Sequence, residues 1–129
     1  MKPLDRYLAA HRAACAATGA DAEEVVADLR AHIEAELAKA GLSIDDIDLY
    51  EVNEAFAPVP LAWAKHVGAD PDRLNVNGGA IALGHPLGMS GARIALTAAH
   101  HLAKFGGKRA LASMCVGVGQ GVSLAIEKV

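Results

Sequence analysis

The glycine-rich segment Gly78–Arg93, "GGAIALGHPLGMSGAR", is the feature that most constrains how this chain folds. Within it, Pro86 pushes His85 out of the helical region toward extended backbone geometry, and Gly84 allows close approach of neighbouring backbone. Apolar residues at helical spacing then predict a helix over about Ser90–Lys104, which a pair of glycines ends. The segment therefore predicts a rigid loop that presents one imidazole at the start of a helix.

Helices and strands alternate along most of the chain. The periodicity predicts helices over Arg6–Thr18 and Ala22–Ala40, and a further helix that begins between Phe56 and Leu61. The predicted strands are Ile47–Asn53, a short strand in "NVNGG", then "RALASMCV" and "VSLAIEKV". This order predicts an α/β fold with a mixed, mostly parallel sheet and helices packed on it. The last two strands, joined by "GVGQG", are expected to be antiparallel.

Composition narrows the class of protein. Hydrophobic residues make up 53% of the 129 positions, which is incompatible with a disordered chain and fits one domain over residues 1–129. The net charge is −3, so binding to nucleic acid through phosphate neutralisation is not expected. The apolar runs are too short and interrupted to span a membrane. Cys15 and Cys115 are interpreted as reduced thiols in a cytoplasmic protein.

Three predicted strands run into polar or glycine-rich turns, which carry Asn53, His85 and Cys115. Ligands of open α/β sheets bind beyond the carboxyl ends of the strands, so we expect these side chains to meet at one edge. His85 could donate to a developing oxyanion or keep a thiol ionised. Cys115, followed by alternating glycines, suits a thiolate base beside backbone amides.

Each of these residues also has a purely structural interpretation. The imidazole of His85 could satisfy loop carbonyls, and Cys115 could be a small core residue of a buried strand. Asn53 is a favoured helix N-cap residue. His100 and His101, with His66, His11 or His32, could suggest a metal site, but adjacent histidines on a helix point in different directions, so we expect none. We also expect no bound cofactor.

The segments "NEAFA" (Asn53–Ala57), "GGAIALGHPLGMSGAR" and "CVGVGQG" (Cys115–Gly121), taken together, closely resemble the C-terminal half of thiolases, the acyl-CoA acyltransferases. The order and spacing of the three motifs agree with that family. The resemblance is strong over residues 38–129 and weak over residues 1–37. The segment "EVNEAFAPVPLAWA" is most similar to the thiolases of fatty-acid or steroid degradation.

The resemblance implies a thiolase-like fold and a coenzyme A thioester as the substrate. In the family a thiol nucleophile takes the acyl group, and a second cysteine, here Cys115, acts as acid and base. His85 would polarise the thioester and keep the nucleophile ionised, and Asn53 would hold a water in the same oxyanion hole. The amide of Gly117 would contribute to a second oxyanion hole, and Phe56 would line the pantetheine tunnel.

The sequence departs from the family pattern at three places. The nucleophile loop of the N-terminal half is missing, and Cys15 lies among alanines of a predicted helix, where core packing explains it better. A proline-glycine segment of the family is replaced by "EEVVADLRAHIEAEL". Val118 stands where a glycine is usual, and its branched side chain disfavours positive φ.

Two hypotheses about function follow. The chain is either the catalytic C-terminal half of a thiolase, inactive without a partner, or a non-catalytic thiolase-like binding or assembly subunit. A half-fold with this apolar content is expected to leave an apolar face bare, because two halves pair in the family. We therefore expect a homo-oligomer or a complex with an N-terminal thiolase half, with the helix over Ser90–Lys104 at the contact.

Overall fold

A computed structural model describes residues 31, 33–117 and 120–129. Helix α1 covers residues 33–39, and the elements that follow are β1 (Leu49–Val52), α2 (Pro58–Val67), α3 (Ala80–Leu83), α4 (Ser90–Phe105), β2 (Arg109–Gly117) and β3 (Gln120–Glu127). Two short 3₁₀ turns, Ile44–Asp46 and Pro71–Arg73, connect them. The predicted helix Arg6–Thr18, most of Ala22–Ala40, Cys15 and Val118 lie outside the described residues.

The sheet has the strand order β1-β2-β3 and is mixed, as the sequence predicts. β1 lies parallel to β2, with Leu49 opposite Ala110 and Val52 opposite Ser113. β3 lies antiparallel to β2, which confirms the predicted return of the last strand. A parallel pair needs a long crossover connection, and here the chain between β1 and β2 supplies three helices.

Strand β1 is buried on both faces, which is typical of a strand in the middle of an α/β fold. On one face, Tyr50 and Val52 pack in a core cluster with residues of α1 and α2, among them Leu37 and Trp63. On the other face, Leu49 packs with residues of α4 and with Ala110 of β2. Helices on both sides of the sheet therefore hold the end of β1 in place.

Helix α4 buries one stripe of side chains against the sheet. Its buried residues are Ser90, Ile94, Ala98 and Leu102, each four positions after the last, as expected for one face of a helix. Leu96 lies on the opposite side and Phe105 is the last residue of the helix, and the two are 60% and 65% exposed. The described part of the chain covers only the buried stripe of α4. Other apolar residues of this helix therefore remain exposed.

The segment "NVNGG" does not form the predicted strand. Leu74, the residue just before it, forms an isolated parallel bridge with Tyr50, and Asn75 then turns away with a φ of 48°. The side chain of Asn75 replaces the missing strand pairs: its Oδ1 accepts from the Val52 amide at 2.8 Å, and its Nδ2 donates to the Val52 carbonyl at 2.9 Å. Asparagine tolerates the left-handed conformation that this arrangement requires.

Candidate active site

The carboxyl ends of β1 and β2 meet at one edge of the sheet because the two strands are parallel. Asn53 follows β1 directly, and its backbone amide donates to the carbonyl of Ser113 in β2 at 2.9 Å. Cys115 lies two positions further along β2. Backbone pairing between the strands therefore brings Asn53 beside the segment that carries Cys115.

His85 and Asn53 lie together at this edge. The Nε2 atom of His85 is 3.4 Å from the Nδ2 atom of Asn53. Asn53 is fully buried, whereas His85 is half-buried and so remains accessible from outside. The glycine-rich loop and the end of β1 thus converge, as the sequence predicts for these two residues.

The other ring nitrogen of His85 is held by the first residue of α4. The Nδ1 atom lies 2.5 Å from the Oγ atom of Ser90, which is fully buried. Ser90 in turn donates from its hydroxyl to the Pro86 carbonyl at 3.1 Å. These contacts link His85, Ser90 and the Pro86 carbonyl. Each of the two ring nitrogens of His85 therefore has a polar neighbour.

Glu54 fastens the glycine-rich loop to β1, a role that the sequence reasoning missed. Its Oε2 accepts from the Ile81 amide at 2.8 Å, at the start of α3, and its Oε1 accepts from the Asn75 side chain at 3.1 Å. Gly79 packs so closely against this carboxylate that an added Cβ would overlap it. The sequence signal for this role was the neighbouring asparagine and glutamate of "NEAF", because both residues follow a buried strand directly.

The remaining predicted site residues lie around this edge with different exposure. Cys115 is exposed with a free thiol, opposite Gly121 of β3. Gly117 is the last residue of β2, and the strand register shifts between Cys115 and Gly117. Phe56, just before α2, is 69% exposed. Among the described residues no hydrogen bond joins Cys115 to His85, so their predicted proximity stays a prediction.

Two polar groups lie buried near the end of β1. Within the described ranges, the Oδ1 atom of Asn53 and the Oε1 atom of Glu51 have no hydrogen-bond partner. Burial of Glu51 raises its pKa from 4.5 to about 7, although the charge of Arg93 opposes the shift. The end of β1 therefore contains a buried carboxyl group that is partly protonated near neutral pH.

The described part of the chain contains no group of three or more His, Cys, Asp or Glu side chains able to hold a metal ion. In the same residues, no helix is both long and apolar enough to cross a membrane.

Comparison with known proteins places this geometry in a family. The family model described as "Thiolase, C-terminal domain" matches residues 6–128. The chain belongs to the thiolase family through this domain. The beta-ketoadipyl-CoA thiolase of Pseudomonas aeruginosa is 60% identical over 95 residues, which cover 72% of this chain and 24% of that protein. The cytosolic acetyl-CoA acetyltransferase of Mus musculus is 52% identical over 92 residues, covering 71% and 23%.

A solved structure of human mitochondrial 3-ketoacyl-CoA thiolase in complex with CoA superimposes with a TM-score of 0.72 and 54% identity. The match covers 75% of this chain and 25% of the human chain. The predicted thiolase resemblance and α/β fold are thus confirmed. The thiolase chain described here spans about a quarter of the length of the curated relatives it matches.

Proposed function

We propose that this chain is the C-terminal catalytic domain of an acyl-CoA acyltransferase that cleaves or forms 3-ketoacyl-CoA thioesters. The observation that carries the proposal is the buried Asn53 amide beside the half-buried His85 imidazole, 3.4 Å apart at the sheet edge of a thiolase domain. Relatives with this domain are named as thiolases and acetyl-CoA acetyltransferases, and one was solved with CoA. Coenzyme A thioesters are therefore the proposed substrates.

In this proposal His85 and Asn53 form an oxyanion hole. The thioester oxygen gains negative charge as a nucleophile attacks, and preorganised donors stabilise that charge in a site shielded from water. His85 polarises the oxygen and holds the nucleophile ionised. The Asn53 Oδ1 atom is buried and unpartnered within the described ranges, which supports the proposal that this amide holds a water in the same hole.

Cys115 is proposed as the acid and base of the reaction. Making or breaking a carbon–carbon bond next to a thioester requires a proton transfer at the α-carbon, and a positioned thiol can perform it. Its exposure at the end of β2 is consistent with access to a substrate. The amide of Gly117 is proposed to contribute to a second oxyanion hole, and the exposed ring of Phe56 to line the pantetheine tunnel.

The nucleophilic thiol is proposed to come from an N-terminal thiolase half or from another part of an assembled oligomer. Apolar side chains exposed on α3, α4 and β3 support such an assembly, among them Ile81, Leu83, Leu96, Val122 and Leu124. Such a surface is what a domain leaves bare when its partner is removed.

Acyl transfer measured with and without a partner tests the proposal. The purified chain alone should not cleave acetoacetyl-CoA in the presence of CoA. Addition of the separately expressed N-terminal half of the Pseudomonas aeruginosa relative should produce acetyl-CoA. Robust turnover by the chain alone would contradict the proposed need for an external nucleophile, and iodoacetamide labelling with peptide mapping would then show whether Cys15 or Cys115 reacts.

Substitutions in the assembled enzyme separate the roles. Cys115→Ser is expected to lower kcat by roughly 10²–10⁴-fold, as for loss of a general acid–base group. His85→Ala should cost about 10²–10³-fold or more, as for loss of an oxyanion-hole donor. Lys65→Ala, in the exposed surface of α2, is the matched control and should leave kcat unchanged. Tight binding of CoA without turnover in any combination would instead favour the non-catalytic binding subunit.

The proposed setting is the cytoplasm, and the proposed pathway is fatty-acid or steroid degradation. The low cysteine content and the free Cys115 fit a reducing compartment. Cell fractionation, followed by a survey of 3-ketoacyl-CoA chain lengths with the assembled enzyme, tests both.

A further inference from the structure

We infer that Ser90 is a positioning residue that holds neutral His85 in the tautomer with its proton on Nδ1. The hydroxyl of Ser90 has one proton, and it donates that proton to the Pro86 carbonyl at 3.1 Å. A carbonyl oxygen can only accept, so this contact is a hydrogen bond only when the hydroxyl points its proton at Pro86 rather than at the imidazole. The Oγ atom, 2.5 Å from Nδ1, is then left to accept a hydrogen bond from the Nδ1–H group of His85.

The contact on the other side of the ring requires the same tautomer. The Nδ2 atom of Asn53 carries two protons and can only donate, so the Nε2 atom of His85, 3.4 Å away, must accept. A neutral imidazole has one donor and one acceptor nitrogen, and the group bonded to one nitrogen decides the state of the other. Two independent contacts thus agree that Nε2 carries the lone pair.

Burial and backbone geometry make Ser90 suited to this role. Ser90 is fully buried at the first position of α4, and its backbone amide also donates to the Pro86 carbonyl, at 3.0 Å. The loop from Pro86 to Ser90 is closed by three hydrogen bonds to the Pro86 carbonyl oxygen, from the Ser90 hydroxyl and from the backbone amides of Met89 and Ser90. The hydroxyl cannot turn away from the imidazole without losing its buried acceptor.

The catalytic consequence rests on the proposed function. With Nδ1–H held by Ser90, the Nε2 atom carries no proton and can take one from a thiol. The thiol then becomes a thiolate and His85 becomes an imidazolium. The Nε2–H bond formed in this way points toward the side of Asn53, where the thioester oxygen is proposed to bind. The opposite tautomer would present an N–H group to the thiol and could not accept its proton.

Nuclear magnetic resonance of the ¹⁵N-labelled chain tests the inference without any assay of activity. Long-range ¹H–¹⁵N spectra distinguish protonated from unprotonated ring nitrogens, and they are recorded well above the ordinary imidazole pKa of about 6.5. Wild-type His85 should show a protonated Nδ1 and an unprotonated Nε2. A protonated Nε2 in the wild type would overturn the inference directly, whether or not any variant folds.

Variants then show whether Ser90 is the cause. Ser90→Ala should lose the uniform Nδ1–H signature of His85, and Ser90→Thr, which keeps a hydroxyl, should retain it. Ser113→Ala is the matched control, because it removes another buried hydroxyl, bonded to Ser123 at 2.8 Å, away from the imidazole. An unchanged tautomer in folded Ser90→Ala would contradict the role of Ser90. Absence of acyl transfer in the assembled enzyme would contradict only the proposed function.

Discussion

At the end of β1, polar residues that are available for chemistry are also packed in the buried part of the chain, within a few positions of one another. Glu51 and Asn53 point toward the same side of the sheet, since side chains alternate along a strand. Asn53 has His85 as a neighbour, whereas Glu51 lies among Asn77, Arg93 and Glu54, whose charges and hydrogen bonds act on its carboxyl group. Burial dominates these effects and raises the pKa of Glu51 to about 7.

Glu51→Gln is expected to change how stability depends on pH. The pKa of Glu51 is higher in the folded chain than its ordinary 4.5, so the folded state binds the proton more tightly than the unfolded state. The wild type should therefore lose stability as pH rises from about 4.5 to about 7 and then level off. Glutamine cannot ionise, so the variant should lack that loss, on the order of 1–3 kcal/mol. Urea unfolding at several pH values measures it, and parallel profiles would contradict the prediction.

Gly79→Ala is expected to destabilise the chain by about 1–3 kcal/mol, because a Cβ there would overlap the carboxylate of Glu54. Glu54 cannot move away without losing its bonds to Ile81 and Asn75. Gly88→Ala is the matched control in the same loop, since nothing lies within 4 Å of a Cβ added there. Thermal unfolding should show Gly88→Ala within about 0.5 kcal/mol of the wild type, and equal losses in both variants would contradict the interpretation.

At the level of elements, a single carboxylate joins the beginnings of β1 and β2. Asp48 precedes β1 and accepts from the backbone amides of Lys108 and Arg109, at 2.7 and 2.9 Å. The amide of Asp48 itself donates to the Arg109 carbonyl at 2.9 Å. This arrangement sets where the parallel pairing begins, and so sets the register that carries Asn53 to Ser113 at the other end.

Asp48→Ala is expected to lower the free energy of unfolding at pH 7 by on the order of 1 kcal/mol, a modest value because the carboxylate is exposed. Hydrogen bonds from the amides of Arg109 and Lys108 hold the pKa of Asp48 below its ordinary 3.8. The stabilisation is therefore present above pH 3.8 and is lost as pH falls through the lowered pKa. The exposed Asp45→Ala is the control. A difference between wild type and Asp48→Ala that persists at the lowest pH would contradict the assignment.

The whole molecule exposes apolar side chains on surfaces that surround its core. On α4, Leu96 lies opposite the buried stripe and Phe105 is exposed at the end of the helix, and on β3 Val122 and Leu124 are about half exposed, at 49% and 52%. Apolar area kept in water costs roughly 25 cal/mol for each Å². Several hundred Å² of such surface would cost an amount comparable to the whole stability of a small domain, which favours association.

Leu96→Glu should weaken association while leaving the fold intact, because Leu96 is 60% exposed and lies outside the buried stripe of α4. Light scattering at micromolar concentration should report a smaller mass for the variant than for the wild type. Leu61→Glu is the matched control, an exposed leucine on α2. A wild-type chain that is a compact monomer and binds no hydrophobic dye would contradict the predicted association. It would favour a self-contained binding module.

The sequence alone determined the features that depend on local chemistry. The helix predicted over Ser90–Lys104 is observed as Ser90–Phe105, because helical periodicity and a pair of glycines are local signals. The predicted alternation of strands and helices, and the antiparallel return of the last strand, also followed from local pattern. The meeting of Asn53 and His85 was expected from parallel strands that end at one edge of a sheet, but the segment before His85 forms no strand, and hydrogen bonds from Asn75 and Glu54 hold it beside β1 instead.

Only the tertiary structure decided which polar groups pair across distant segments. Asn75 lies in a segment that reads as a strand, yet its side chain replaces the strand bonds at Val52. Ser90 reads as the ordinary first residue of a helix, yet the fold places its hydroxyl against His85. Such hydrogen bonds form only when the two groups are placed to within a few tenths of an ångström of the right distance. Local propensity carries no information about those distances, and the packing of helices on the sheet sets them.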